Sequence, residues 1–363
     1  MNRRTLLIGA GSAIAGAGAG IGLAAHDIGS MEAYAAEAAR QRAPLGTSPD
    51  LADLLRYATL AANSHNTQPW RFRTAPRSIH ILPDLTRRTP AVDPDDHHLF
   101  VSLGCAAENL KIAAHASGRP GELVVESDGN AIRYAFRSGT PGAAALAAAI
   151  SRRQSTRAVY DGRSIAPATL SRLAAASDIP GVSLILLTER ARIDQVRDLV
   201  LAGNSAQIAD PAFMRELRQW LRFNPRSALA ARDGLFSAAS GNPILPTWLG
   251  RPALDCFFTA KAENDKYARQ IASSAGLAIF VGDRADKDHW IRVGRACQRF
   301  ALTATSLGLK HAFLNQPVEV AGVRSELAKL LGAPDSRPDL VMRFGYGRAL
   351  PYSLRRPVKA IVE

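Results

Sequence analysis

The stretch GCAAENLKIAAHASG, residues 104–118, is matched 190 positions later by GRACQRFALTATSLG, residues 294–308. Both stretches run from glycine to glycine and carry apolar or small residues at equivalent positions. The matched pairs are Ala106/Ala296, Leu110/Phe300, Ile112/Leu302 and Ala114/Ala304. Each stretch is typical of a helix that ends at a C-terminal glycine. The repeat predicts two similar halves whose equivalent helices cross closely, because many of the matched residues are small.

Other elements line up with this repeat. Amphipathic helices are predicted at residues 50–62 and 167–175. Strands are predicted at residues 78–82, 122–126, 132–136, 184–187, 277–281 and 340–344. Helices and strands in two similar halves, residues 46–150 and 151–363, predict an α+β fold built by duplication. The halves are expected to pack as an intramolecular pseudo-dimer, so a monomer would suffice.

Composition sets the broad class. The chain has 363 residues, of which 47% are hydrophobic, and a net charge of +13. The basic residues are scattered rather than clustered, which argues against a nucleic-acid-binding protein. Only seven of the 45 basic residues are lysine, and arginine suits two-point binding of phosphate. The spacing of Cys105, Cys256 and Cys297 fits no metal motif, and the odd count argues against a disulfide framework.

The N-terminus has the pattern of a targeting segment. Arg3 and Arg4 precede an uncharged, glycine-rich apolar run at residues 6–25, which resembles a twin-arginine export signal. A small-residue cleavage site at Ala33-Tyr34-Ala35 would make residues 1–35 the signal peptide. The alternative is an uncleaved membrane anchor. The twin-arginine route carries folded cargo that often holds a cofactor, so the mature protein is expected in the periplasm or cell envelope.

Four further motifs stand out. They are SHNTQPW (64–70), RQSTR (153–157), GLKHAFLNQP (308–317) and LVMRFGYGRALPYSLRRP (340–357). Arginines on both sides of a hydroxyl, just before a helix, can grip a phosphate. Together the motifs resemble the FMN-dependent nitroreductase family over residues 49–357. The duplicated layout, with Asp93-Pro94 and the sequence RDGL at residues 232–235, resembles its single-chain, Acg-like branch.

The resemblance implies an FMN site lined by both halves. Arg153, Ser155 and Arg157 would hold the phosphate and ribityl chain, and Ser64 and Asn66 would contact the flavin from the other half. The remaining implied residues are a ring-side segment, Ala312, Phe313, Leu314, Asn315 and Gln316, and a C-terminal basic residue near the phosphate, Arg355 or Arg356. The family often has an acidic residue and a glycine where this chain has Asn315 and Gln316, so the ring environment is altered.

Each binding motif occurs once. Before the first half, where a second arginine grip would stand, the chain reads ARQRAP at residues 39–44. The second half has no second SxNxQPW loop after its helix at residues 167–175. We therefore expect one FMN per chain. Gln68 would belong to the flavin loop, and Trp70 and Phe72 would anchor that loop in the core. His65 would form a structural hydrogen bond in the turn or, alternatively, touch substrate.

A segment in the second half, residues 217–250, has no counterpart in the first. In the family, insertions here cover the flavin; the alternative is a helical excursion that completes the core. A closed lid would exclude water and could exclude NAD(P)H.

Three functions remain open. The first is an oxidoreductase in which FMN carries the chemistry, NAD(P)H donates hydride, and a nitroaromatic or quinone accepts it without a metal or a protein nucleophile. The second is an FMN-binding or storage protein with little turnover. The third is a basic envelope protein that binds an anionic partner without flavin.

Overall fold

The computed structural model describes residues 27–127 and 129–363. Its helices are α1 (Met31–Gln41), α2 (Leu51–Thr59), α3 (His97–Ala116), α4 (Ala144–Ile150), α5 (Pro167–Ala176), α6 (Arg190–Ala209), α7 (Pro211–Trp220), α8 (Pro225–Ala231), α9 (Thr247–Phe257), α10 (Ala260–Ala272), α11 (Lys287–Ser306), α12 (Gln316–Glu319) and α13 (Ala321–Leu330). Its strands are β1 (Trp70–Ala75), β2 (Ser78–Pro83), β3 (Gly121–Val125), β4 (Ile132–Phe136), β5 (Val182–Leu187), β6 (Leu221–Arg222), β7 (Leu235–Phe236), β8 (Gly276–Gly282), β9 (Lys310–Phe313) and β10 (Pro338–Gly345).

Two four-stranded antiparallel sheets have the same topology. The first has the order β1-β2-β4-β3 and the second the order β5-β8-β10-β9. In each, a long helix, α3 or α11, connects the second strand of the half to the third. The α+β class is therefore confirmed, and the two sheets with their long connecting helices correspond strand by strand.

The long helices α3 and α11 cross at a pair of glycines. A Cβ atom on Gly104 would lie 2.0 Å from the carbonyl oxygen of Ile291, and one on Gly294 would lie 2.0 Å from that of Val101. Each helix has 20 residues, and their starts are 190 positions apart. The predicted close crossing is confirmed, with the closest approach at the glycines that open the repeat.

The two halves share one hydrophobic core. Trp70 and Ile81 of the first half belong to the same buried cluster as Phe300 and Phe344 of the second. Trp70 and Phe72 are fully buried, which confirms their predicted anchoring role. A further cluster lies between the second sheet and α6, α10 and α13. Since the main cluster is continuous, neither half has a complete core of its own.

The C-terminal residues of the chain and helix α1 both pack against the rest of the fold. The last residues pair with β1, where Phe72 N donates to Ile361 O and Glu363 N donates to Phe72 O. Helix α1 packs on α8, and the rings of Tyr34 and Phe236 lie 4.4 Å apart.

The predicted export signal lies only partly within the described residues. Residues 1–26, including Arg3, Arg4 and the apolar run, fall outside them. The predicted cleavage site at residues 33–35 falls inside α1, where Tyr34 is buried. Within the described part of the chain, no helix is both long and apolar enough to span a membrane.

Candidate functional site

Two adjoining cavities lie where the two halves meet. One has a volume of about 210 Å³ and the other about 60 Å³. They share Ala62, Asn63, His65, Arg157 and Leu235 in their walls, so they form one bent site. Both halves contribute to each cavity, as the composite site predicted from sequence requires.

Four arginines surround the smaller cavity: Arg42, Arg153, Arg157 and Arg355, together with Ser155. Backbone carbonyls orient three of them. Arg42 Nη1 donates to Ser151 O at 2.8 Å, Arg153 Nη2 donates to Leu60 O at 3.0 Å, and Arg355 Nε donates to Thr59 O at 2.6 Å. Nε and Nη1 of Arg153 are buried and have no partner among the described residues.

These guanidinium groups have no carboxylate partner. Over the described ranges 27–127 and 129–363, no acidic oxygen lies within 4.0 Å of their nitrogens. Burial, reinforced by the charge of Arg153, lowers the pKa of Arg42 to about 9, and burial also lowers the pKa of Arg153, Arg157 and Arg355. A buried, uncompensated positive charge is costly unless an anion neutralises it. The small cavity is therefore suited to a phosphate-like anion.

The walls of the larger cavity combine polar and apolar side chains. Its lining includes Phe313, Asn315 and Gln316 of the predicted ring-side segment and Ser64 and His65 of the first half. Helix α3 adds His98, Val101, Ser102 and Cys105, and α10 adds Glu263, Lys266 and Tyr267. The Asn315 side chain already has a protein partner, because its Oδ1 accepts a hydrogen bond from Val341 N at 3.1 Å.

Three predicted site residues lie elsewhere. Ala312 and Leu314 are buried in the core and line neither cavity, because side chains alternate along the chain here and those of Phe313 and Asn315 face the site. Arg356 also lies away from the site: its Nη1 approaches Asp84 Oδ2 at 3.3 Å and its Nη2 donates to Ala360 O. Of the C-terminal arginine pair, only Arg355 reaches the small cavity.

Asn66 and Gln68 are anchors rather than free ligands. Asn66 Nδ2 donates to Gly234 O and Leu354 O, both at 3.1 Å, and its Oδ1 accepts from Arg355 Nη1 at 2.9 Å. Gln68 Nε2 donates to Arg232 O at 2.9 Å. Asn66 borders the small cavity, but these protein partners occupy its amide. The Asn66 amide therefore ties the loop to the middle segment and the C-terminal tail, and its expected contact with the flavin stays a prediction.

The loop that carries these anchors has an unusual backbone. His65, Asn66 and Gln68 have positive φ angles of 46°, 54° and 55°. Such angles are uncommon for residues other than glycine and cluster at functional sites. His65 lines both cavities, and its only side-chain hydrogen bond among the described residues is a long one of 3.4 Å to Ser64 Oγ.

The middle segment covers the larger cavity. Leu217, Leu221, Leu235, Ser237 and Ser240 all line it. An ion-pair latch fastens the segment: Asp233 pairs with Arg87 of the first half and with Arg222, 2.6 Å away. The segment at residues 217–250 thus has the position of a lid.

A pair of titratable side chains lies in the cavity wall. His98 Nε2 is 3.3 Å from Glu319 Oε1, and Gln207 Nε2 donates to Glu319 Oε2 at 2.6 Å. Burial acts to lower the pKa of His98, but Glu319 and Asp93 outweigh it, so the pKa of His98 is raised. Burial acts to raise the pKa of Glu319, yet the bond from His98 lowers it overall.

Sequence reasoning missed Arg42, His98 and Glu319. Arg42 belongs to the ARQRAP stretch, which by its sequence is a degenerate grip. His98 lies in an ordinary helix start, and Glu319 lies three residues beyond the predicted ring-side segment. Of these three residues, only Arg42 could have been found from the sequence, because it lies in the basic ARQRAP stretch.

Comparisons with known proteins agree on one family. Residues 150–347 match the sequence model described as "Nitroreductase family". Two proteins of Mycobacterium tuberculosis, from strains CDC 1551/Oshkosh and H37Rv, are each named "Putative NAD(P)H nitroreductase". Each is 28% identical to this chain over 324 residues, or 85% of this chain and 90% of the relative.

Solved structures of similar proteins include two nitroreductases. The FMN-dependent nitroreductase NfnB from Mycobacterium smegmatis, in complex with NADPH, is 14% identical, covers 56% of this chain and 87% of its own, and has a TM-score of 0.38. A nitroreductase with bound FMN from Bacteroides fragilis is 15% identical, covers 56% and 88%, and has a TM-score of 0.35. The sequence match spans more than half of the chain, and the protein belongs to the nitroreductase family.

Proposed function

We propose that this protein is an FMN-dependent oxidoreductase with one flavin site per chain. The observation that carries the proposal is the small cavity, where three buried arginines and the partly buried Arg157 lack carboxylate partners among the described residues and Arg153 keeps two unpartnered nitrogens. The donor set fits a phosphate, since guanidinium groups bind phosphate through paired hydrogen bonds. Ser155 adds a neutral donor.

The adjoining larger cavity would hold the flavin ring between Phe313 and the Ser64–His65 turn. Bound FMN would supply hydride transfer from NAD(P)H to a small-molecule acceptor such as a quinone or nitroaromatic compound. The chain's own residues would bind, orient and shield these reactants.

A single site is supported by Arg42. Arg42 lies in the basic stretch before the first half, where a second grip would stand. Its side chain lines the same cavity as that of Arg153. The matched sheets and helices support an origin by duplication and a monomer that acts as its own pseudo-dimer.

The test compares Arg153→Met with its exposed neighbour, Arg152→Met. Loss of two charge-assisted hydrogen bonds, each worth about 1.5–3 kcal/mol, should weaken FMN binding about 100-fold or more in the first variant. The control should bind like wild type. Flavin fluorescence quenching would give the dissociation constants, and circular dichroism would verify folding. Equal affinity in a folded Arg153→Met variant would refute the phosphate site.

The lid favours a second candidate, an FMN-holding protein with little turnover. Asn66 and the Asp233 latch fasten the segment that covers the larger cavity. Anaerobic addition of NADPH separates the two candidates: bleaching of the flavin band supports the oxidoreductase, and persistence of the band supports storage or another electron donor.

We also propose export by the twin-arginine route. The arginine pair and the apolar run at residues 6–25 support it. Fractionation of cells that express the full chain, compared with an Arg3→Lys, Arg4→Lys variant, tests this proposal. Export that persists in the variant would contradict it.

A further inference from the structure

Hydride transfer alone does not complete the reduction of a quinone or of a nitro compound. Conversion of a quinone to a hydroquinone takes up two electrons and two protons, as does conversion of a nitro compound to a nitroso compound and water. A hydride supplies both electrons and one proton. The remaining proton must come from water or from a group that faces the acceptor.

The lid limits the part that bulk water can play. Leu217, Leu221 and Leu235 of the lid place apolar surface over the larger cavity. A positioned acid inside such a cavity is an effective proton donor when its pKa is close to the working pH.

His98 has the geometry of such a donor. It lies in the first turn of α3, lines the larger cavity and is held by Glu319, whose own position is fixed by Gln207. Glu319 ends α12, which begins at the last residue of the ring-side segment, and both members of the pair line the same cavity as Phe313.

The charges around His98 favour its protonated form. Glu319 and Asp93 raise its pKa against the effect of burial, and Arg337 opposes them. The two neighbouring imidazoles, His97 and His65, have lowered pKa values because both are buried, so they add little positive charge. Asp93 also accepts hydrogen bonds from His98 N and Leu99 N. Its negative charge offsets the positive potential at the N-terminus of α3.

Other acids in the cavity wall are less suitable. Burial raises the pKa of Tyr267 to about 12, so it is a weak acid at neutral pH. Lys266 is engaged by Asn242 at 3.0 Å and by Glu263 at 3.4 Å.

We propose that His98, oriented by Glu319, donates to the bound acceptor the proton that completes its reduction. The proton leaves His98 Nδ1, the ring nitrogen that Glu319 does not engage, for an oxygen of the acceptor, and water reprotonates the imidazole after product release. His98 is then a catalytic acid and Glu319 a positioning residue. The inference rests on the proposed flavin function.

The first measurement needs no turnover. NMR titration of histidine-labelled protein without flavin should show one imidazole with a pKa above 6.5, assigned by its loss in His98→Gln. Glu319→Gln should lower that pKa. The proposal is overturned if the His98 imidazole has a pKa below 6.5 in the wild type, or if its pKa is the same in Glu319→Gln.

The second measurement uses FMN-loaded protein reduced with one equivalent of dithionite, so it does not depend on NAD(P)H. Stopped-flow reoxidation by benzoquinone should slow about 100-fold in His98→Gln and lose the wild-type decline with rising pH. Added imidazole should restore part of the rate. His115→Gln, on the same helix but outside both cavities, is the control; His98→Asn is the second variant if His98→Gln does not fold.

The outcomes separate the two ideas. A folded chain that holds no FMN overturns the proposed function and this inference together. A chain that holds FMN, but whose His98 variants reoxidise at the wild-type rate with the wild-type pH profile, overturns the inference alone.

Discussion

Arg153 and His311 show how this chain keeps polar groups buried without protein partners. Both ring nitrogens of His311 are buried and unpartnered among the described residues, as are two nitrogens of Arg153. Leaving such a group unsatisfied costs about 1–3 kcal/mol. For Arg153 the proposed function explains this cost, because its free nitrogens border a cavity that fits an anion. His311 lines neither cavity, so its cost falls on folding stability.

His311 should make the fold acid-sensitive. Burial, assisted by the charges of Arg153 and Lys310, lowers its pKa from 6.5 to about 3. The unfolded chain therefore takes up a proton between pH 6.5 and 3 that the native state does not, and stability falls as the pH falls through that window. At pH 5 the loss is about 2 kcal/mol relative to pH 7.

His311→Met should remove this loss. Denaturant unfolding of flavin-free protein at pH 7 and pH 5 would give the free energies, and the difference between the two pH values should shrink by about 2 kcal/mol. His115→Gln, which leaves His311 in place, should keep the wild-type difference. If His311→Met has the same acid sensitivity as wild type, His311 is not the group responsible.

The sequence predicted the site residues that lie within a local motif and missed those that reach the site through long-range contacts. The RQSTR motif identified Arg153, Ser155 and Arg157, all of which border the small cavity. Arg42 reaches the same cavity only because α1 folds back against the second half, a long-range contact that a local motif does not encode. The anchoring role of Asn66 was missed for a similar reason, since its partners lie at Gly234 and Leu354.

At the scale of elements, the crossing of α3 and α11 depends on two glycines. Gly104→Ala or Gly294→Ala would place a Cβ atom 2.0 Å from a backbone carbonyl oxygen, so the helices would have to separate. Because overpacking costs about 1–3 kcal/mol or more, and the site lies between the same halves, we expect a lower melting temperature and weaker FMN binding. Thermal denaturation and an FMN titration would measure both effects.

Gly322→Ala is the matched control. It lies in helix α13, and an added Cβ would meet nothing within 4 Å. Because alanine favours helix, this variant should be about 0.5–1 kcal/mol more stable. Equal melting temperatures for Gly104→Ala and wild type would contradict the tight crossing.

The latch at Asp233 should control access to the larger cavity. Asp233→Asn weakens the ion pairs with Arg87 and Arg222, so the lid should open more often. We expect FMN to dissociate several-fold faster, since breaking a partly buried pair is more costly than breaking an exposed one. Asp255→Asn, which breaks an exposed pair with Arg218, is the control. Identical dissociation rates in both variants would show that the latch does not hold the lid.

Long periodic elements were predicted well, and short ones were not. The repeat identified α3 and α11, and the apolar runs identified β2, β4, β5, β8 and β10 within about two residues at each end. Strand β9 has only four residues, HAF preceded by a lysine, and its identity depends on pairing with β10 rather than on its own pattern. Strand β1 was not predicted, because its outward face is polar.

At the scale of the whole molecule, the N-terminal helix joins the lid to the site. Helix α1 buries Tyr34 against Phe236 of the middle segment, and the Tyr34 hydroxyl donates to Tyr352 O at 2.5 Å. The residue after its last turn is Arg42, which reaches into the small cavity. A signal peptide that ended at Ala35 would take away the first turn of α1, and with it the Tyr34 ring.

We therefore expect processing of the exported protein to occur upstream of Ser30, the N-cap of α1. N-terminal sequencing of the mature protein would give the position directly. A chain that begins at residue 30 should match the mature protein in stability, whereas one that begins at residue 36 should lose about 3–5 kcal/mol, as expected for removal of a large buried aromatic side chain. It should also bind FMN more weakly, because α1 would no longer hold Arg42 in place. A mature N-terminus at residue 36, with full stability and FMN affinity, would show that the packing of Tyr34 is dispensable.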